Sequence, residues 1–156
     1  MLRSLLHRLV GVRASRRHLK ALMQYSTPAK LANLMLCEEE KRLCIAAPKS
    51  MPYSCEIDAA NVCNLRCSYC PTGLGKEGRS KSLISLEQVE RILDELGRFL
   101  YIVHLFNWGE SLLNPRLSQI VRLVHSKKIY TSISSNFNIR KKELFERFIR
   151  ENLQVK

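Results

Sequence analysis

The stretch "YSCEIDAANVCNLRCSYC", residues 53–70, decides how the rest of the chain is read. Its first part, residues 53–59, patterns as a β-strand with Ser54, Glu56 and Asp58 on one face. Its second part places Cys63, Cys67 and Cys70 at a C-x3-C-x2-C spacing. A strand that runs straight into three thiols puts reactive groups at a strand's carboxyl end. Parallel α/β sheets build their sites at that end.

The pattern then repeats. "SLEQVERILDELGRF" (85–99) reads as a helix, with Ser85 as cap, Gln88 completing a capping box, and an apolar stripe from Leu86 to Leu96. "YIVHLF" (101–106) reads as a second strand, followed by "NWGES" (107–111). "NPRLSQIVRLVHSKK" (114–128) reads as a second helix, capped by Asn114 with Pro115 at its first position. "IYTSISS" (129–135) is a third strand, its end overlapping "SSNFN" (134–138), and "KKELFERFIREN" (141–152) is a third helix. Strands alternating with helices imply a parallel α/β sheet. Three unusual loops, each following a strand, should therefore converge at one mouth. His104, Ser132 and Ser134 fall at alternate strand positions and would make that mouth polar if they face inward. For His104 alone, a hydrogen-bonded interior histidine is the simpler reading.

The chain has 156 residues, enough for one domain with a modest core. Its 46% hydrophobic and 26% charged content is that of a soluble globular protein. The net charge of +12 is unevenly spread. Arg3, Arg8, Arg13, Arg16, Arg17, Lys20 and Lys30 precede the first acid, Glu38.

Within that arm, residues 2–23 pattern as a basic amphipathic helix, weakened at Gly11. An extension packed on the domain or a partner, a membrane-surface helix and an organelle transit peptide are three readings of it. Nucleic acid is disfavoured as a partner, since no aromatic or motif support accompanies the arginines. "STPAK" opens a further helix, Thr27 capping and Pro28 in its first turn, that runs to Arg42 with Glu38 and Arg42 at i, i+4 spacing. "APKSMP" (47–52) ends it, so residues 1–48 are expected to be a helical extension and 49–156 the main domain.

Six cysteines in a chain of this length do not make a disulfide scaffold. No signal-peptide pattern and no run near 18 apolar residues stands in the sequence, so a cytoplasmic location is the default. The basic N-terminus keeps membrane-peripheral and organelle-targeted alternatives open. Clustered thiols in a reducing compartment point to metal. Zinc would need a fourth ligand, and neither His104 nor His125 lies at finger spacing. A [4Fe–4S] cluster normally takes four cysteines. With three, one iron keeps an open position, which is the logic of a catalytic site. Cys37, Cys44 and Cys55 have no such partners and read as ordinary thiols.

C-x3-C-x2-C with Tyr69 before the last cysteine, directly after a first strand, resembles the radical S-adenosylmethionine (radical SAM) superfamily. "CNLRCSYCPTG" is similar especially to the branch whose longer members carry an additional C-terminal cluster domain, the SPASM type.

The resemblance implies a full or partial (β/α) barrel. It implies a [4Fe–4S] cluster on Cys63, Cys67 and Cys70, and SAM chelated at the open iron. It implies reductive cleavage of SAM to a 5′-deoxyadenosyl radical, with an electron donor such as a flavodoxin or ferredoxin. Tyr69 matches the aromatic against the adenine, and Gly109 and Glu110 match the Gly-Glu pair that binds the SAM amino group. Ser135 and Asn136 lie where polar contacts to SAM often occur. Ser111 stands where the family commonly has proline, a change expected to loosen the turn while keeping the carboxylate.

The resemblance covers about three βα units, from residue 50 onward, where a complete barrel needs about 200 residues. The expectation is the N-terminal half of a barrel, truncated or completed by a second chain, with an unpaired edge on the third strand. Two functions stay open: a radical SAM enzyme or its cofactor-binding half, and a non-catalytic module binding iron–sulfur or zinc through the cysteines. Substrate and overall reaction are not legible.

Overall fold

The computed structural model describes residues 16–76, 78–139, 142, 143, 146, 150, 154 and 155. The expected helix over 2–23 is described from Arg16 on; its first part lies outside the described residues. Two helices open the fold, α1 (Arg16–Tyr25) and α2 (Pro28–Arg42). They are followed by β1 (Ser54–Glu56), α3 (Pro71–Leu74), α4 (Leu86–Leu96), β2 (Ile102–His104), α5 (Leu117–Ser126), β3 (Tyr130–Ile133) and β4 (Gln154–Val155). Residues 142, 143, 146 and 150 are helical, and Glu146 pairs with Lys142 and Arg150 at i, i+4 spacing. The rest of the helix expected over 141–152 lies outside the described residues.

The sheet is parallel throughout, in the order β1-β2-β3-β4. Register aligns Glu56 with His104, His104 with Ser132, and Ser132 with Gln154. The ladder continues past the strand ends, with Tyr101 N–H donating to Tyr53 C=O and Ile57 N–H to His104 C=O. The strands are shorter than the apolar runs that encode them. The expected bare edge on β3 is corrected: β4 pairs with Ser132 and Ile133.

Side chains alternate across the sheet, so its two faces carry different cores. Ile57, Val103, Leu105 and Ile133 pack with Val89, Leu93, Ile120, Val121 and Val124 of α4 and α5. On the opposite face Ile102 and Tyr130 pack with Ala21 and Leu34 of α1 and α2. The basic extension therefore closes the lower half of that second face. The upper half carries the row Glu56, His104, Ser132.

Local signals set several boundaries. Thr27 caps α2, its hydroxyl accepting from Lys30 N–H at 3.2 Å. Ser85 and Gln88 form the capping box of α4. Two expectations shift. α5 begins at Leu117, because Asn114 spends its side chain on a turn and on distant carbonyls. On α2, Arg42 pairs with Glu39 and Lys41 with Glu38, both at i, i+3, in place of Glu38 with Arg42.

Lys30 is 2% exposed, and its Nζ donates to Lys128 C=O at 2.8 Å. It also sits over the Tyr101 ring, 5.5 Å from the centroid. This contact ties α2 to the turn before β3.

Candidate functional site

Three loops leave the carboxyl ends of β1, β2 and β3, and hydrogen bonds draw them together. The first begins with Asp58, whose Oδ1 accepts from Trp108 N–H at 2.9 Å. Its Oδ2 pairs with Arg79 at 2.9 Å. Asn61, buried, holds the returning segment: its Nδ2 donates to Ser80 C=O and its Oδ1 accepts from Ser82 N–H. Residues 71–82 start with the single turn of α3. They return to form a bridge between Leu83 and Ala60.

Gly109 brings the second loop against the first. Its φ is +127°, and a Cβ there would lie 2.0 Å from Ala60 O. Only glycine allows that backbone approach. Glu110 follows, its N–H donating to Val62 C=O at 2.8 Å. Its side chain is buried inside the cluster of loops, at 2% exposure. Oε1 accepts from Leu112 N–H at 3.0 Å and Oε2 from Asn136 N–H at 2.8 Å. A carboxylate has about four lone-pair sites, so each oxygen keeps further acceptor capacity. Ser111, expected to loosen the turn, does the opposite: buried, it donates through Oγ to Leu105 C=O.

Asn136 brings in the third loop. Its Nδ2 reaches Cys63 Sγ at 3.8 Å and Asn64 Oδ1 at 2.9 Å. Ser135 Oγ accepts from Phe137 N–H at 2.9 Å, closing a small turn with Phe137 at φ +55°. So Cys63, Glu110, Asn136 and the Gly109 backbone meet at one place. Tyr69 stands apart, 99% exposed.

The cysteines share one short loop but differ in setting. Cys63 and Cys70 are half-buried and Cys67 is exposed. Cys70 N–H donates to Cys67 C=O at 3.2 Å, and a Cβ on Gly73 would lie 2.6 Å from Cys67 N, so glycine lets this turn close tightly. Cys63 Sγ accepts from Leu65 N–H at 3.4 Å as well as from Asn136. Among the described residues, no three His, Cys, Asp or Glu side chains stand close enough together to hold a metal ion. The donor set nevertheless fits an iron–sulfur group in kind: three thiols on one loop, with N–H donors aimed at a sulfur as thiolate ligands receive them. Cys55 lies on β1, outside this loop. Burial, and then the charge of Glu56, push its thiol above the ordinary value.

Residues 57–155 match the family model of the radical SAM superfamily. The chain belongs to the radical SAM superfamily. Among solved structures it is similar to BtrN in complex with AdoMet and 2-DOIA, with a TM-score of 0.56 and 17% identity. That match covers 67% of this chain and 44% of the other. It is also similar to Streptococcus suis SuiB bound to S-adenosylmethionine, with a TM-score of 0.55 and 20% identity, over 93% of this chain and 31% of the other. The chain thus spans less than half the length of these radical SAM structures. At such identity the likeness speaks to fold, a parallel α/β arrangement consistent with a partial (β/α) barrel. No curated protein matches the sequence.

Sequence reasoning found the three loops. It missed Asn61 as the residue holding the 71–82 segment. It also missed that Asn114, expected only as a cap, donates to Ala59 C=O at 2.8 Å and Ile84 C=O at 3.0 Å. Two polar residues in otherwise apolar surroundings, "AANVC" and "LLNPR", were the available signal.

Among the described residues, no helix is long and apolar enough to cross a membrane.

Proposed function

We propose that this chain is the cofactor-binding half of a radical SAM protein, holding a [4Fe–4S] cluster through Cys63, Cys67 and Cys70 and SAM beside it. One observation carries the reading. In a chain of this superfamily, the cysteine loop, the Gly109–Glu110 turn and the Asn136 loop meet at the carboxyl ends of three parallel strands. When bound, the cluster and SAM would supply reductive cleavage of the sulfonium to a 5′-deoxyadenosyl radical. The protein's own residues do the rest. Glu110 offers unused lone pairs to an ammonium, and Gly109 lets its loop close against the first loop beside that carboxylate. Tyr69 presents an uncovered ring for an adenine. The "CNLRCSYCPTG" stretch supports the SPASM-type branch.

A second reading is a metal-binding module without turnover. It is favoured by Glu110, whose buried carboxylate already serves two backbone donors and would act as a structural cap. Anaerobic reconstitution with iron and sulfide separates the readings. A brown protein with near-stoichiometric four-iron clusters, lost in the Cys63→Ala, Cys67→Ala and Cys70→Ala variants, is expected. Formation of 5′-deoxyadenosine with SAM and a reductant supports the first reading, and a cluster without SAM cleavage the second. A colourless protein with one tight zinc overturns the cluster assignment.

A further inference from the structure

We propose that Asn136 tunes the Cys63 ligand: its side-chain amide donates to the Cys63 sulfur and raises the reduction potential of the group bound there. The inference rests on the cluster assignment above and departs from the expectation that Asn136 contacts SAM.

The amide is oriented by its partners. Oδ1 accepts from Asn138 N–H at 2.8 Å. Nδ2 therefore carries the donors, one to Asn64 Oδ1 at 2.9 Å and one toward Cys63 Sγ at 3.8 Å. Asn64 in turn donates through its own Nδ2 to Asn138 C=O at 2.8 Å, which fixes its oxygen toward Asn136. The backbone N–H of Asn136 is held by Glu110 at 2.8 Å. Both N–H bonds of the amide are thus committed within the protein, leaving none for the carboxylate of a ligand.

Cys63 is also singled out among the three thiols. It takes a second donor from Leu65 N–H at 3.4 Å, whereas among the described residues no hydrogen bond reaches Sγ of Cys67 or Cys70. A donor on a thiolate withdraws charge and favours the more negative, reduced state of an iron–sulfur group. Asn136 is placed to do this from a loop 73 residues away in sequence, so the β3 loop would control the redox poise of the β1 loop.

The test is a dithionite titration of the anaerobically reconstituted protein, followed by electron paramagnetic resonance, on wild type, Asn136→Ala, Asn136→Ser and Asn64→Ala. Asn136→Ala should lower the midpoint so that the reduced-to-oxidised ratio at a given potential falls roughly tenfold, about 59 mV for one electron. Asn136→Ser, which keeps a weaker donor, should fall between. It is also the informative variant if Asn136→Ala does not retain its cluster. Asn64→Ala removes one of the partners that orient the amide but leaves Asn138 and the sulfur contact, and should move the midpoint by much less than Asn136→Ala. Equal midpoints in wild type and both Asn136 variants overturn the inference while leaving cluster binding intact. A shift in Asn64→Ala as large as in Asn136→Ala also overturns it, because the effect is then structural. A wild-type protein that takes up no cluster overturns the cluster assignment and this inference together.

Discussion

The backbone N–H of Asn136 donates to Oε2 of Glu110 at 2.8 Å, across the gap between the loops that follow β3 and β2. The same carboxylate caps the short turn Ser111–Leu113 through Leu112 N–H. Glu110 is therefore a joint of the site whatever it binds. Glu110→Ala leaves two N–H groups without their acceptor in a buried setting. A cost of about 2–4 kcal/mol is expected, measured by urea unfolding. Glu110→Gln keeps one oxygen and should lose less. If Glu110→Ala unfolds at the wild-type urea concentration, the joint has no structural weight.

Gly109 and Gly75 test the packing of the same mouth as a pair. Both have positive φ, +127° and +65°. A Cβ at Gly75 meets nothing within 4 Å, whereas at Gly109 it lies 2.0 Å from Ala60 O. Gly75→Ala should cost about 1 kcal/mol, the ordinary left-handed penalty. Gly109→Ala must push the β1 and β2 loops apart, and should cost upwards of about 3 kcal/mol or abolish soluble expression. Similar melting temperatures for the two variants would contradict the close contact.

Phe137 pays a backbone cost at the third loop. It holds φ +55° without being glycine, a left-handed conformation that costs a side-chain-bearing residue about 1–2 kcal/mol. Phe137→Gly is expected to stabilise the fold by up to about 1 kcal/mol, since the left-handed penalty outweighs the added chain entropy. Thermal melts decide it. A destabilised variant would mean that the phenyl ring carries packing worth more than the strain.

Much of the fold was legible because its signals are local. Thr27, Ser85 and Gln88 act within three residues of themselves, so the starts of α2 and α4 could be read directly. Alternation of strand and helix gave the parallel sheet, and the cysteine spacing pointed to the loop after β1. The rest depends on contacts distant in sequence. Nothing near Ser132 announces that Gln154 pairs with it. Nothing near Asn136 announces Cys63. Choice among partners at similar distance was also illegible: Glu38 could reach Arg42 or Lys41, and Arg42 instead took Glu39. The strand ends came out shorter than the apolar runs because a run encodes burial, and residues such as Leu105 are buried just past the end of the strand.

Lys30 makes the joint between the basic extension and the sheet sensitive to pH. Burial lowers its pKa from 10.5 to about 8. Below about pH 8 both the folded and the unfolded chain hold the proton, and the folded state bears the full penalty of a buried charge. Between about 8 and 10.5 the unfolded chain keeps the proton that the folded chain has released. The unfolded state then binds more protons, so stability rises with pH across that window. The span corresponds to about 3 kcal/mol at most. Lys30→Met removes the titration and the bond to Lys128 C=O together. Urea unfolding of wild type and Lys30→Met from pH 7 to 10 isolates the effect, because other titrating groups cancel in the difference. Wild type should gain on the variant steadily above about pH 8, and a constant difference over the whole range would show that Lys30 titrates as it does in water.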